Sequence, residues 1–371
     1  MNSSTSGPAL AGYGWNASLA ADFTPYAAQG YVPARILRVY GNLCDAVTPD
    51  GTVRADIAPV TSPDPLRWVC TGDWAALDPG GDPVLVRALL PRRTAIVRNT
   101  SSKRSEGQVL AANVDHVAVA VPADAEPDLG RLERFLALAW ESGAEPLVLF
   151  TKCDLVPAPE LEHLLSDAES VAPGVTVLAV SASTGMGMDV LTAVLTGTTT
   201  VFVGQSGAGK STLSNALVGD EVQDVRAIRD ADGKGRHTTT TRDMLLLPGG
   251  GVIVDTPGVR GVGMWDAQTG VGLVFSEIEE LAGACRFHDC SHTAEPGCAV
   301  LEAVADGTLH QRRLESYRKL LRENAWIASR TDARLRAEQR REWKLRTAEG
   351  RMMTGLKRGG PAPRARSPRD R

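Results

Sequence analysis

Residues 201–217 read VFVGQSGAGKSTLSNAL, and the predicted fold of the chain rests on this segment. Three apolar residues of strand type lead into a loop that fits the pattern G-x-x-x-x-G-K-[ST], and a helical apolar pattern follows. The glycines of such a loop let backbone N–H groups turn inward on an anion, and the next helix points its positive dipole end at the same place. The stretch therefore predicts a phosphate-binding loop. An ordinary Gly-rich turn is the alternative, and it leaves the complete pattern unexplained.

The predicted phosphate-binding residues form one continuous segment. In this pattern the lysine brings a mobile positive charge to the phosphates, and the hydroxyl that follows it binds Mg²⁺. We therefore expect Mg²⁺ to bind together with the nucleotide, with Ser211 as one of its ligands. The residues are Gly204, Gln205, Ser206, Gly207, Ala208, Gly209, Lys210, Ser211 and Thr212.

Two other motifs are suited to recognising the base. A short apolar run of parallel-strand type ends in Thr151-Lys152-Cys153-Asp154, which matches the [NT]-K-x-D motif of GTPases. A single carboxylate, here that of Asp154, accepts both the N1–H and the exocyclic amine of guanine. A second apolar run ends in Ser181 and Ala182, where GTPases place a backbone amide against guanine O6. These motifs predict guanine, since an ATPase would leave the first of them without a role.

The groups expected near the γ-phosphate come later in the chain. Residues 252–258 read VIVDTPG, so that Asp255 can hold the Mg²⁺ shell and the amide of Gly258 can face the γ-phosphate. The run RHTTTT at 236–241 supplies a hydroxyl and a carbonyl for the same metal, and we assign this role to Thr239. The polar segment 218–241 is therefore the expected first switch.

The order of these motifs is unusual. An ordinary GTPase has the phosphate loop first and the guanine motifs last, whereas this chain has the guanine motifs first, as in a circular permutation. With this order, and with GDW at 72–74, LPRR at 90–93 and QVLAANVD at 108–115, the chain resembles the circularly permuted ribosome small-subunit-dependent GTPases, RsgA (also called YjeQ). The resemblance extends over roughly residues 34–343.

The resemblance implies a function and a catalytic residue. It implies a GTP hydrolase that binds the small ribosomal subunit and its rRNA in late maturation and is stimulated by it. It also points to His237 as the group that positions the attacking water, although His237 could instead only shape its loop. The family more often has Asn where Thr151 stands. The remaining alternative is an rRNA-binding assembly protein whose nucleotide site is structural and turns over negligibly.

A cysteine-rich stretch predicts a metal site. Cys285, Cys290 and Cys298 lie within fourteen residues, and His288 and His292 are both candidates for a fourth ligand. Three thiolates and an imidazole suit one structural, tetrahedral Zn²⁺, and the resemblance favours His292. The other three cysteines are interpreted as small apolar residues. They are Cys44, Cys70 and Cys153.

The predicted fold class is α/β, with flanking domains. Five short strand-like runs between residues 34 and 90 favour a barrel, and the resemblance implies an OB-fold. Trp68 and Trp74 are candidates for stacking on bases, although barrel aromatics are more often buried. The predicted parts are an N-terminal extension (1–30, its first residues poorly ordered), an OB-fold β-barrel (31–107, with 92–107 as a basic linker), a circularly permuted P-loop GTPase domain with a mainly parallel sheet (108–264), a mostly helical zinc-binding domain (265–347) and a basic disordered tail (348–371).

Charge and composition limit the partners. The 371 residues carry a formal net charge of −4, but residues 331–371 hold 13 basic and 5 acidic side chains, which suggests a polyanionic partner. No apolar run approaches the ~20 residues that span a bilayer. We therefore expect no membrane partner and a cytoplasmic protein. An asymmetric ribosomal target favours a monomer.

Overall fold

The N-terminal part of the chain folds into a closed barrel. The computed structural model describes residues 8–99, 107–219, 243–255 and 267–331. The barrel strands are joined in the order β1-β2-β3-β5-β4, and small apolar side chains such as Ala34, Ala46 and Ala55 fill the interior. This confirms the predicted OB-like barrel. The strands are β1 (Val32–Tyr40), β2 (Leu43–Thr48), β3 (Gly51–Asp56), β4 (Trp74–Asp78) and β5 (Val84–Leu89).

One expected strand begins later than the apolar pattern indicated. One of the five strand-like runs covers residues 66–77, but β4 begins only at Trp74. The preceding residues form a turn with a short 3-10 helix at Pro65–Arg67. Pro63 and Pro65 have no backbone N–H to donate to a neighbouring strand, so the turn replaces the start of the strand.

Two helices precede the barrel and were not predicted from the sequence. They are α1 (Pro8–Gly12) and α2 (Ala17–Ala27). Between them Trp15 packs edge-on against Trp74 with ring centroids 5.1 Å apart, and Leu10 is fully buried. The backbone of Gly12 accepts a hydrogen bond of 3.1 Å from Gly251. The pair of helices therefore contacts both the barrel and the second sheet.

The segment predicted as a linker contains sheet structure. Strands β6 (Ala95–Asn99) and β7 (Gly107–Ala112) pair antiparallel. The segment 92–107 therefore contributes strand β6, whose Ile96 is buried, and β6 pairs with β7, where Val109 and Leu110 are buried too. Basic and serine residues, which suggested a linker, make up most of the segment between the two strands.

A buried arginine marks the junction between the barrel and the next domain. Arg35 on β1 is 2% exposed and donates to the carbonyl of Asn113 at 3.0 Å and to Oγ1 of Thr199 at 2.9 Å. Its guanidinium lies 5.0 Å from the centroid of the Trp74 ring. Burial lowers the pKa of Arg35 to about 10, so the side chain stays charged at neutral pH.

The central domain is a six-stranded sheet in the order β10-β9-β8-β11-β13-β12. Every neighbouring pair is parallel except β12 and β13, which form an antiparallel hairpin. Because the other strands are parallel, their carboxyl ends share one edge of the sheet. The strands are β8 (His116–Pro122), β9 (Glu145–Thr151), β10 (Thr176–Ala179), β11 (Thr199–Gly204), β12 (Asp243–Leu246) and β13 (Val252–Asp255), with helices α3 (Leu129–Glu141), α4 (Ala158–Val171), α5 (Met188–Leu195) and α6 (Lys210–Val218).

The C-terminal part is helical, as predicted. Leu314, Tyr317 and Leu320 form a buried stripe on the longest of its helices. Within the described ranges, no helix is both long enough and apolar enough to span a bilayer. The helices are α7 (Gln268–Val274), α8 (Ser276–Ala282), α9 (Ala299–Ala305) and α10 (Gln311–Thr331).

A buried ionic cluster attaches this helical part to the central domain. Glu133 on α3 is 0% exposed and accepts from Arg312 at 2.9 Å and from Arg313 at 2.7 Å, both on α10. Ser316 also donates to Glu133, and Arg313 donates to Glu277 on α8. The carboxylate is buried away from water, and these donors offset the free-energy cost of burying its charge.

We expect the Glu133→Ala variant to be strongly destabilised. Removing the carboxylate takes from the buried Arg313 one of its two acidic partners, Glu277 being the other, and breaking a buried pair in this way costs about 3 kcal/mol. Urea unfolding followed by circular dichroism measures the loss. The control is Arg87→Gln in the exposed pair Arg87–Asp78, where we expect less than about 1 kcal/mol. If Glu133→Ala and Arg87→Gln lose a similar free energy of unfolding, the buried cluster does not stabilise the fold more than the exposed pair does.

Candidate nucleotide site and metal centre

The predicted nucleotide-binding residues meet at one edge of the central sheet. Strands β9, β11 and β13 are parallel and end at Thr151, Gly204 and Asp255. Ser181 and Ala182 follow the end of β10, next to β9. The carboxyl edge of a parallel sheet is where ligands bind in open α/β folds. Residues His237, Thr239 and Gly258 lie outside the described part of the chain.

The phosphate loop begins where two strands come very close. Gly204 ends β11 with φ 138°, and a Cβ added there would lie 2.5 Å from the carbonyl oxygen of Ala120 on β8. Only glycine fits this approach. The loop then passes into α6, which begins at Lys210 and has the left-handed Gly209 as its N-cap. The amino end of α6 therefore faces the loop, as the sequence pattern predicted.

The side chain of Lys210 lies across the loop. Its Nζ donates to the carbonyl of Gly204 at 2.8 Å and to that of Gln205 at 2.7 Å. On the other side of the loop, Arg131 of α3 donates to Oε1 of Gln205 at 2.7 Å. The loop is thus held by side chains from its own helix and from α3.

The first guanine motif is attached to the phosphate loop. Thr151 is buried, and its hydroxyl donates to the carbonyl of Ala208 at 2.9 Å. This hydroxyl links the end of β9 to the phosphate loop, so the link does not need the amide side chain of an asparagine. The neighbouring Lys152 is in the left-handed region with φ 59°, and its Nζ lies 3.0 Å from Oδ2 of Asp124.

The two guanine motifs touch each other. The amide of Cys153 donates to the carbonyl of Val180 at 3.3 Å, and Oγ of Ser183 donates to Oδ2 of Asp154 at 3.2 Å. Ser181 Oγ lies 2.9 Å from Ser183 Oγ. Hydrogen bonds from Ser181 first and also from Ser183 lower the pKa of Asp154. The carboxylate is therefore ionised and oriented, which is the form that accepts two N–H donors.

Sequence reasoning missed the supporting residues Asp124, Arg131 and Ser183. Ser183 lies two residues after Ser181, within a stretch already of interest, so its hydroxyl was a usable signal. Asp124 and Arg131 belong to the loop and helix after β8, where no motif marks them. Their contacts with Lys152 and Gln205 arise only because β8 lies between β9 and β11.

The cysteine-rich stretch forms one compact cluster. Cys285, Cys290, His292 and Cys298 each offer a ligand atom, and these atoms all lie within 4.8 Å of one another. Sγ of Cys285 and Sγ of Cys298 are 3.8 Å apart, and each approaches Nδ1 of His292, at 3.6 and 3.4 Å. The cluster could bind a metal ion. His288, the other candidate, is exposed and lies outside the cluster.

The surroundings shift the pKa values of the members of this cluster in different directions. Burial opposes a charged Cys285, but backbone amides of Val300 and Ala299 and the neighbouring thiols outweigh it and lower the pKa of this thiol. Burial raises the pKa of Cys290 to about 11 and lowers that of His292. A neutral imidazole, whose unprotonated ring nitrogen carries a lone pair, is the form that binds metals.

Comparison with known proteins assigns the chain to a family. The family model described as RsgA GTPase matches residues 89–265. The small ribosomal subunit biogenesis GTPase RsgA of Streptomyces avermitilis is 64% identical over 358 residues, which cover 96% of each chain. The protein of the same name from Syntrophotalea carbinolica is 41% identical over 332 residues, 86% of this chain and 89% of that protein.

Solved structures support the same conclusion at the level of the fold. The crystal structure of YjeQ from Thermotoga maritima has a TM-score of 0.59 and 25% identity, and the match covers 79% of this chain and 98% of that one. YloQ, described as a circularly permuted GTPase, has a TM-score of 0.58 and 22% identity over 79% of this chain and 95% of its own. With its closed barrel, permuted sheet and Cys/His cluster, this chain belongs to the RsgA family of GTPases.

Proposed function

We propose that this protein hydrolyses GTP to GDP and phosphate and acts in the biogenesis of the small ribosomal subunit, which stimulates it. The observation that carries the proposal is the contact between the two guanine motifs and the phosphate loop at one sheet edge, with Thr151 joined to Ala208 and Ser183 to Asp154. The relatives that cover nearly all of the chain are named as GTPases of small-subunit biogenesis.

Each group at the site has a proposed role in binding. The backbone of residues 204–212 and the ammonium of Lys210 hold the phosphates. Asp154 accepts the two N–H groups of guanine, Ser181 and Ala182 present the amide to O6, and Thr151 and Lys152 support the base pocket. The amide of Gly258 faces the γ-phosphate. The proposed Mg²⁺ ligands are oxygen donors, which suit this hard cation. They are Ser211, Thr239 and Asp255.

His237 is the proposed catalytic residue. Ras-like enzymes place a glutamine shortly after the D-x-x-G glycine to orient the attacking water, whereas here Gly258 is followed by Val259 and Arg260. Val259 cannot hold a water, so the polar group has to come from another segment. A neutral imidazole at cytoplasmic pH accepts a hydrogen bond from water, and His237 adjoins the threonines proposed to bind the metal.

The proposed partner is the rRNA of the small subunit, and the protein acts on it as a cytoplasmic monomer. The basic residues near the C-terminus, 13 against 5 acidic in 331–371, complement a polyanion. Measuring GTP turnover with and without purified small subunits tests the function. Strong stimulation is the expected result. Turnover that stays negligible with subunits bound would favour the alternative in which the nucleotide site is structural.

We further propose that the Cys/His cluster holds one structural Zn²⁺. Tetrahedral ligands at Zn–S ≈ 2.3 Å and Zn–N ≈ 2.0–2.1 Å stand about 3.8 Å apart for two sulfurs and about 3.6 Å for sulfur and nitrogen. The distances between Cys285, Cys298 and His292 are 3.8, 3.6 and 3.4 Å. The donor set of Cys285, Cys290, His292 and Cys298 fits the ion and leaves no ligand position open.

The Asp154→Asn variant should lose its preference for guanine. An amide cannot accept both N–H groups of guanine, whereas it can pair with xanthine, so we expect GDP affinity to fall by about 10² and XDP to become the better ligand. Competition against a fluorescent nucleotide measures both. The control is Glu162→Gln, an exposed acidic residue on α4. Equal affinity of the unaltered protein for GDP and ADP would contradict the assignment of guanine.

Protein purified without added zinc should contain about one zinc per chain. Replacing a ligand, as in Cys290→Ser, should lower this stoichiometry and expose residues after 267 to proteolysis, because structural zinc contributes folding energy directly. Nucleotide affinity should change little. Cys44→Ala, in the barrel interior, is the control that keeps the metal. A folded C-terminal domain containing no metal would remove the site.

The His237→Ala variant should lose most of the stimulated rate. We expect small subunits to raise kcat by ~10², which is within the range of general acid–base groups, and the variant to retain GTP affinity and subunit binding. The control is His288→Ala, an exposed histidine near the metal cluster. If His237→Ala is stimulated as strongly as the unaltered protein, another group positions the water.

A further inference from the structure

One turn of the barrel displays three exposed side chains in succession. Leu66, Arg67 and Trp68 follow one another in the segment that replaces the start of β4, and Trp68 is 48% exposed. The barrel's other candidate for stacking, Trp74, is 1% exposed. Within residues 8–99, Leu66 and Trp68 are the only large apolar side chains that reach solvent to this extent. The two tryptophans therefore differ sharply in what they can contact.

The turn is rigid in spite of its exposure. Arg92 donates to the carbonyls of Leu66 and Trp68 while it forms a bidentate pair with the buried Asp73, at 2.6 and 2.8 Å. The carboxylate of Asp64 accepts from the amide of Leu66 at 3.0 Å. A side chain that is already fixed loses little conformational entropy when it binds a partner.

The indole of Trp68 is oriented by its own hydrogen bond. Its Nε1–H donates to the carbonyl of Ser62 at 2.9 Å. The polar edge of the ring is therefore satisfied within the turn, and the solvent-exposed part of the ring has only its apolar surface to offer. Aromatic faces of this kind take nucleobases with little sequence preference, since every base has a π-face.

The charge beside the ring is positive. The side chain of Arg67 is exposed, and its guanidinium makes no ion pair or hydrogen bond with another described residue, whereas the exposed Arg54 and Arg87 pair with Asp45 and Asp78. Residues 31–107 hold 10 basic and 8 acidic side chains, although the whole chain has 40 against 44. An unpaired guanidinium next to an aromatic face suits a phosphate backbone more than an apolar protein surface.

We propose that Trp68 stacks on an unpaired nucleobase of RNA and that Arg67 binds an adjacent phosphate. The inference rests on the proposed function, because it takes the RNA to be that of the small subunit. A protein partner would need a wider apolar patch than the two side chains of this turn. The interaction requires single-stranded RNA, since bases within a helix have no free face.

Two assays on the full chain test this assignment. The first is fluorescence anisotropy with a labelled single-stranded RNA of mixed sequence and about 12 nucleotides, within the range that OB-folds cover. The second is cosedimentation with purified small subunits. Trp68→Ala should weaken both interactions by about tenfold, as the loss of one stacked base does, and Trp68→Phe should recover most of the affinity. Arg67→Gln should make the negative slope of log K against log salt shallower by roughly 0.7.

Three comparisons keep the result specific. Trp326→Ala removes a tryptophan on α10 that is 54% exposed and should leave the affinity for the oligonucleotide unchanged. GDP affinity and the urea midpoint of Trp68→Ala should equal those of the unaltered protein. Equal losses in Trp68→Ala and Trp326→Ala would overturn the assignment.

The outcomes also separate this inference from the proposed function. If the unaltered protein binds small subunits and is stimulated by them, but Trp68→Ala behaves in the same way, the stacking role is wrong and the function stands. If Trp68→Ala loses binding to subunits without losing affinity for the oligonucleotide, the turn contacts a ribosomal protein and the RNA assignment is wrong. If the unaltered protein binds no subunits, the proposed function fails, and the oligonucleotide assay alone decides the role of Trp68.

Discussion

The parallel pairing of β11 with β8 on one side and β13 on the other is the constraint on which the nucleotide site depends. It places the end of β11 at the same edge as the ends of β9 and β13, and the close approach of Gly204 to Ala120 sets how the loop leaves the sheet. Strand pairing depends on spatial neighbours and not on the order of the segments in the chain. A permuted chain can therefore build the same edge, with the guanine motifs first and the phosphate loop later.

Charged groups buried between the domains hold this edge in relation to the flanking parts. Arg35 connects the barrel to Thr199 at the start of β11, and Glu133 connects α3 to α10. A half-buried pair, bidentate between Arg38 of β1 and Asp243 of β12, joins the barrel to the strand that follows Thr239, the proposed metal ligand. Buried charges demand partners in defined positions, so they specify how the domains meet.

The short motifs on which the family resemblance was based lie at the barrel's junctions. The side chain of Asn113 accepts a hydrogen bond from the backbone N–H of Arg93 at 3.0 Å and donates one to the carbonyl of Gly72 at 3.0 Å. A Cβ on Gly72 would lie 2.1 Å from the carbonyl oxygen of Ala112, so the two backbones could not approach with another residue there. Asp73 pairs with Arg92 and Asp115 with Arg93. These residues bind one another across the junction, which single letters in a sequence do not reveal.

The classes of element and the chemistry of the sites follow from local sequence patterns. A strand, a glycine loop and a helix in succession encode a phosphate site locally, and three thiols with an imidazole encode a metal site. For this reason the barrel, the sheet and the Cys/His cluster were predictable. Local patterns carry such information because hydrogen bonding and helix dipoles act over a few residues.

Long-range packing settled which histidine joins the cysteines, which tryptophan of the barrel is exposed, and that the supposed linker contains strand β6. It also brought Asp124, Arg131 and Ser183 to the candidate site and placed the hydroxyl of Thr151 where it donates to the phosphate loop. These outcomes depend on contacts between residues far apart in sequence. A prolyl turn fixed by Arg92, not the identity of the side chain, exposes Trp68 while Trp74 is buried. Burial is a property of the packed chain, and no single residue type specifies it.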